Sequence, residues 1–377
     1  MFIEIKTCEK IKSGYEITVE YPEKDAEKIY PDGKGGQLGD RGYINNVEIL
    51  EVKEDKIIIA EELIPGIYNY VLDEKRREDI AVQHSAEHLF SGIALKDYNL
   101  NNVGFRMGEE ISTIDLDSDN ISEEIVAEIA QKINSAIEKG AEVCDKIISH
   151  EEAHQVTGLR KALSSKITGD VRLVEIKDYD FCACAGFHVK NIKDIRLFKI
   201  LSQERIKGKY TRFTYVAGNR AIEDYNKKSE IIKSLNQKFS SRDFELVEKI
   251  DNYRSEFENL KKSHSQLLHN YAELLGNSLL EKSLDINSNK VIIFEGEKNI
   301  LDNLRKFFAN KDITFVGIGE DVAFISSQAI NCSSLIKELI SLDNTLKGGG
   351  GAKQGNIKGH LAKEIVLTAI EKLTKSL

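Results

Sequence analysis

The stretch VRLVEIKDYDFCACAGFHV, residues 171–189, holds two alternating apolar runs parted by a polar turn and ends in Cys184-Ala185-Gly186-Phe187-His188. Alternation of period two predicts strand, turn, strand. The closing C-x-x-x-H spaces a thiol and an imidazole across a tight turn, where Gly186 lets the chain fold back so that both side chains converge. Upstream, QHSAEHLFSG at 83–92 has helical spacing and sets His84 and His88 one turn apart on a single face, so that both can reach one metal ion. ISEEIVAEIAQKINSAIEKG lies between the two motifs and predicts an amphipathic helix capped by Ser122 and ended by Gly140. Helices interleaved with strands make this region α+β.

Together the motifs supply three imidazoles and one thiolate, the complement of a tetrahedral zinc shell (Zn2+): His84, His88, Cys184 and His188. His84-Ser85-Ala86-Glu87-His88 also fits the H-x-x-E-H pattern of inverted zinc peptidases, so a peptidase stays open on these residues alone. Cys182 shares a strand face with Cys184 and reads as a core residue. His150 and His154 form a second i,i+4 pair without a matching cysteine motif and read as surface. Cys8, Cys144 and Cys332 read as small buried residues.

Farther out, residues 1–80 carry four alternating runs around the glycine-dense loop YPDGKGGQLGDRG, residues 30–42, which predicts a small β-barrel. From Ile232 to Leu274, apolar residues recur at spacings of three and four. This is a coiled-coil signature, with a break and restart at Ser240-Ser241-Arg242-Asp243. From Lys290 on, short apolar strands alternate with helices in a small α/β domain whose LKGGGGAKQG run should be neither ordinary helix nor strand. The expected organisation is therefore multidomain α+β: barrel 1–78, zinc-binding domain 79–222, helical linker 223–284 and C-terminal α/β domain 285–377.

At 377 residues, with 41% hydrophobic and 31% charged residues and three prolines, the composition is that of a globular chain of two or more domains. No apolar run is long enough to span a bilayer, no signal peptide is visible, and five scattered cysteines do not form a disulfide framework. A cytoplasmic location with no membrane partner is expected. The net charge of −9 hides a local excess: between His188 and Arg220 stand nine basic residues and two acidic ones. Such clustering matters more for nucleic-acid binding than the total does.

QHSAEHLFSG, FRMGEEISTIDLD and RLVEIKDYDFCACAGFHVKNIKDIRLFKI resemble the editing domain of alanyl-tRNA synthetases and the free-standing AlaX-type editing hydrolases. Here the family's CGGTHV stands as CAGFHV, and its YP-x-G-G-G-Q loop as YPDGKGGQLGDRG. The tail is similar to the DHH-associated C-terminal domain, which in this family follows a coiled coil; no D-H-H phosphoesterase motif is present. The resemblance implies zinc-assisted hydrolysis, in trans, of the ester joining serine or glycine to mischarged alanine tRNA. Gln37 is the expected catalytic amide, able to position substrate or water. Glu87 could serve as a base, or as a helix-surface or supporting residue. Lys190, Arg205, Lys207, Lys209 and Arg212, with Lys347, Gly348, Gly349, Gly350, Gly351 and Lys353, are expected tRNA contacts. A homodimer through the coiled coil and the C-terminal domain is expected as well. Two departures bear on specificity: Phe187 replaces the usual threonine, and Glu27 falls where a hydroxyl residue is thought to recognise serine. A tRNA-binding protein with a purely structural zinc is the remaining alternative.

Overall fold

The computed structural model describes residues 1–23, 27–163 and 169–375. The chain divides into two compact units, Met1–Ser234 and Leu235–Leu377. In the first, β1 (Phe2–Ile11), β2 (Gly14–Glu20), β3 (Gly42–Ile44), β4 (Val47–Val52), β5 (Lys56–Ile59) and β6 (Gly66–Leu72) close into a barrel in the order β1-β2-β5-β4-β3-β6. Ile3, Ile5, Ile17, Ile49 and Ile59 fill it, and closure removes the free edges that short strands would otherwise expose. The loop of residues 30–42 is too polar for core and is held by carboxylates instead. Asp32 accepts from the amides of Gly39 at 2.9 Å and Val52 at 3.0 Å, and Asp40 accepts from Tyr30 N at 2.7 Å.

After the barrel come α1 (Glu74–Tyr98), β7 (Asn102–Met107), β8 (Ser112–Leu116), α2 (Glu123–Lys139), β9 (Val143–Ile148), α3 (His150–Gln155), β10 (Val171–Ile176), β11 (Asp180–Ala183), β12 (Phe198–Ile206) and β13 (Tyr210–Ala217). They form a four-stranded sheet, β12-β13-β8-β7, and a three-stranded one, β11-β10-β9. Asp73 caps α1 by accepting from Arg76 N at 3.1 Å, and Asn99 ends it in a left-handed conformation. Between Ile80 and Ala94 almost every residue of α1 is buried, because the helix packs against α2, β7, β11 and β13 at once. At Gly92 a Cβ would lie 2.3 Å from Tyr179 O, so only glycine lets α1 come this close to the β10–β11 turn. Ser122 and Gly140 bound α2 as the sequence predicts. Cys144 departs from expectation: it is exposed, because β9 is an edge strand of its sheet, whereas Cys332 is buried.

Helix α4 (Gly218–Phe239) leads into the second unit, which holds α5 (Leu246–Glu281), β14 (Leu284–Ile286), β15 (Asn289–Glu295), α6 (Lys298–Phe308), β16 (Thr314–Ile318), β17 (Val322–Ser327), α7 (Cys332–Leu342), β18 (Lys347–Gly350), β19 (Gln354–Lys358) and α8 (Lys363–Lys375). The helix break falls at the serine pair: α4 ends at Phe239 and α5 begins after a short turn at Asp243–Glu245. The sheet order is β14-β15-β16-β17-β19-β18. Its central β16 is buried along its whole length, between apolar clusters that include α5 and α6 residues in one case and α7 and α8 residues in the other. The glycine run corrects the sequence reading, because it is strand β18, an edge strand paired with β19. Cβ atoms at Gly348 and Gly350 would stand 2.4 Å from Asn356 O and Gln354 O, so this close pairing requires glycine there.

Candidate metal centre and its cavity

His84 and His88 project from buried α1, and Cys184 and His188 from the turn after β11, so that their ligand atoms all lie within 4.8 Å of one another. Cys184 Sγ is 3.5 Å from His84 Nε2 and 3.3 Å from His188 Nε2. The Nδ1 atom of each ring is already engaged: His84 with Gln37 Oε1 at 2.7 Å, His88 with Asp180 Oδ2 at 2.9 Å, and His188 with Ser85 Oγ at 3.1 Å. Such partners fix ring orientation and tautomer, which leaves Nε2 to face a metal ion.

The turn itself is built for the cluster. A Cβ on Gly186 would sit 2.2 Å from His84 Cε1 and 2.5 Å from Gln37 Oε1, so the backbone passes where only glycine fits. Arg172 donates to the carbonyls of Gly186 at 2.7 Å and Cys184 at 3.3 Å, and Gly186 N donates to Cys184 Sγ at 3.4 Å. Three imidazoles and a thiol on a braced turn suit a metal ion of borderline softness.

Electrostatics point the same way. Burial would push the Cys184 thiol up, but hydrogen bonds from His188, His84 and His88 stabilise the thiolate and bring its pKa down to about 2. Burial and the nearby His88 lower His188 to about 3, keeping the imidazole neutral. His88 is raised well above the usual histidine range despite its burial. We assign this to Asp180, whose own pKa is lowered by His88 and Arg160 against its burial; the Cys182 thiol is itself raised by burial.

Gln37 is 1% exposed, and its amide oxygen is shared between His84 Nδ1 and Phe187 N, the latter at 3.0 Å. Its Nε2 has no hydrogen-bond partner among the described residues. Glu87 is buried rather than on the helix surface: its carboxylate accepts from Ser91 Oγ at 2.6 Å and Asn102 Nδ2 at 2.5 Å and lies 3.7 Å from His88 Nε2. Cys182 is buried as expected, but it also stands 3.5 Å from His88 Nδ1 and forms a second potential ligand group with His88 and Asp180. Phe187 turns away from the cluster toward the barrel loop, with its ring 5.0 Å from that of Tyr30 and beneath the Arg77 guanidinium at 4.8 Å. Arg77 is gripped by Asp40 through two 2.7 Å hydrogen bonds and also contacts Glu27, so both departures from the family pattern belong to one contact between barrel and helix.

A cavity of roughly 320 Å³ opens beside the cluster, lined among others by His84, His88, Cys184, Glu87, Asn102 and Arg160. Lys190, Arg205, Lys207 and Lys209 are exposed. Arg205 pairs with Asp119 at 2.6 Å and Arg212 with Asp115 at 2.7 Å, which offsets part of their charge. Lys347, Lys353 and Gly348 to Gly351 are exposed in the second unit. His150 and His154 lie together on the surface, 3.2 Å apart through Nε2, and belong to no ligand group among the described residues.

Sequence reasoning passed over Asp180, Ser85 and Arg160. Asp180 had a signal, because in D-x-C-x-C the residues 180, 182 and 184 alternate onto one strand face. Ser85 and Arg160 had none, since they meet their partners 103 and 20 residues away along the chain.

Residues 171–214, which hold the C-x-x-x-H turn, match the family described as Threonyl and Alanyl tRNA synthetase second additional domain. Over 277 residues the chain is 30% identical to the alanyl-tRNA editing protein Aarsd1 of Bos taurus, a match that covers 72% of this chain and 61% of that one. Aarsd1 of Mus musculus is 26% identical over 94% of this chain and 86% of its own length. The alanine–tRNA ligase of Methanobrevibacter smithii is 27% identical over 87% of this chain and 39% of its own. No helix among the described residues is long and apolar enough to cross a membrane.

Proposed function

We propose that this chain, which belongs to the AlaX-type family of free-standing alanyl-tRNA editing proteins, is an aminoacyl-tRNA deacylase that clears serine or glycine from mischarged alanine tRNA in trans. Water adds to the ester carbonyl carbon and the bond to the terminal ribose oxygen breaks, releasing the amino acid and an uncharged tRNA end. The observation that carries the reading is the convergence of His84, His88, Cys184 and His188, each imidazole anchored through Nδ1, beside a cavity of aminoacyl size.

Those four residues would hold Zn2+, which when bound supplies a Lewis acid able to polarise an ester carbonyl or to lower the pKa of water. The chain's own groups do the rest. Gln37, Asp180 and Ser85 hold the three rings, and the Gln37 amide nitrogen, buried and without a partner among the described residues, is free to donate to substrate or water. Glu87, fixed by Ser91 and Asn102 at the cavity wall, is the carboxylate placed to accept a proton there. The exposed Lys190, Arg205, Lys207 and Lys209, with the half-buried Arg212, would meet acceptor-stem phosphates. The Lys347–Lys353 segment would add a second contact.

The same reading takes 1–78, 79–222, 223–284 and 285–377 as functional parts and places the protein in the cytoplasm. It makes the protein a homodimer, because Tyr253, Phe257, Leu260, Leu267, Tyr271 and Leu274 form an exposed apolar stripe at heptad spacing along α5. The deciding assay follows ester loss from seryl-, glycyl- and alanyl-charged alanine tRNA with the protein and with a Cys184→Ala variant. Loss of the seryl or glycyl ester that depends on Cys184 is expected, and loss no faster than in buffer would refute the deacylase reading.

A further inference from the structure

The side chain of Arg160 is 8% exposed, and its Nη1 is a buried donor with no partner among the described residues. The rest of the guanidinium is committed: Nε donates to Asp180 Oδ1 at 2.5 Å and Nη2 to Asp180 Oδ2 at 3.3 Å, while that second oxygen also holds His88 Nδ1. Asp180 therefore locks the fork beside His88 and leaves the Nη1 amino group, with its two N–H bonds, unmet on a residue that lines the adjoining cavity. Guanidinium cannot relieve the mismatch by losing its proton, and an unmet buried donor is costly. An acceptor supplied by the cavity's occupant resolves it.

The polar atoms of an aminoacyl ester narrow the choice. The ester oxygens belong beside His84, His88 and Cys184, where the bond breaks. The α-ammonium is itself a donor, repelled by Arg160 and complementary to Glu87, whose carboxylate lies 3.7 Å from His88 Nε2 and 3.9 Å from Arg160 Nη2. A side-chain hydroxyl is the remaining acceptor, and alanine and glycine have none. We infer that Arg160 Nη1 receives the hydroxyl oxygen of a seryl ester and is the serine-selecting residue of this cavity. Lys161, which also lines the cavity, is exposed and can turn to water. The inference rests on the deacylase reading and fits a site in which Glu27 and Phe187 are occupied with Arg77.

The test is Arg160→Lys, which keeps a cation for Asp180 but removes the free fork, with Arg160→Gln as a second variant should the first fail to fold. Seryl ester hydrolysis should fall roughly 10- to 100-fold, the range for a lost hydrogen bond to a charged group. Glycyl ester hydrolysis should stay within about threefold. Binding of non-hydrolysable 3′-seryl- and 3′-glycylamido adenosine should show the same split, with zinc content unchanged. Equal losses for both esters, with or without loss of zinc, would make Arg160 a support for His88 and overturn the assignment, as would an unchanged seryl rate. A wild-type protein that hydrolyses neither ester ends the deacylase reading, and the two analogues then decide Arg160 by whether the wild type prefers the seryl one and the variant does not.

Discussion

Removing the Gln37 side chain should weaken metal binding more than it slows chemistry on loaded protein. Its oxygen is the acceptor for both His84 Nδ1 and Phe187 N, and the site is sealed, with Gln37 1% exposed. Gln37→Ala strands two buried donors, each at a cost of roughly 1–3 kcal/mol, and frees the His84 ring to rotate. Loss of such a supporting partner lowers metal affinity about 10–100-fold, equal to about 1.4–2.8 kcal/mol, which the combined donor cost of about 2–6 kcal/mol is large enough to supply. Competition of purified protein against a chromophoric zinc chelator measures this directly. Gln37→Glu keeps the acceptor and should recover most of the affinity while still lacking the amide donor. Zinc affinity unchanged in Gln37→Ala would refute the anchoring argument. If activity nevertheless collapsed, Gln37 would be acting on substrate or water through its amide alone.

Gly186→Ala forces a methyl into the His84 ring and the Gln37 oxygen and should cost about 1–3 kcal/mol of stability with a matching loss of zinc, read by chemical denaturation and metal analysis. In metal-free protein, Cys184 and His188 both titrate lower folded than unfolded, so in acid the unfolded chain binds protons that the folded one refuses. Stability should therefore fall as pH drops from about 6.5 toward 3, and a denaturation midpoint flat across that range would contradict the assignment. Lys207→Ala with Lys209→Ala should weaken tRNA binding and reduce the slope of log affinity against log salt by roughly 1.4–1.8, measured by filter binding at several ionic strengths. Leu260→Glu places a charge in the exposed stripe of α5 and should leave a monomer in sedimentation equilibrium if that stripe joins two copies.

The convergence of His84, His88, Cys184 and His188 was legible because its geometry is local twice over. His84 and His88 are one helical turn apart, and Cys184 and His188 are one glycine turn apart, so each half is set by short-range sterics. The barrel was legible for a similar reason, since alternating short strands parted by turns have few ways to bury one face. The glycine run misled because edge-strand pairing needs a partner: Gly348 and Gly350 become strand only against β19. Glu87 misled in the opposite sense. Its helical position gives an outward-facing option, and only packing against Asn102 and Arg160 encloses it.

The sequence by itself therefore determined which four side chains can meet at one point, through two local spacings and a single glycine. What surrounds that point was decided by tertiary structure alone. The barrel loop delivers Gln37 to His84, β11 delivers Asp180 to His88, and Arg160 closes onto Asp180 from a separate segment. Those contacts span 47, 92 and 20 residues. No periodicity encodes such pairings, because they depend on how packed elements settle against one another rather than on the backbone geometry of any one of them.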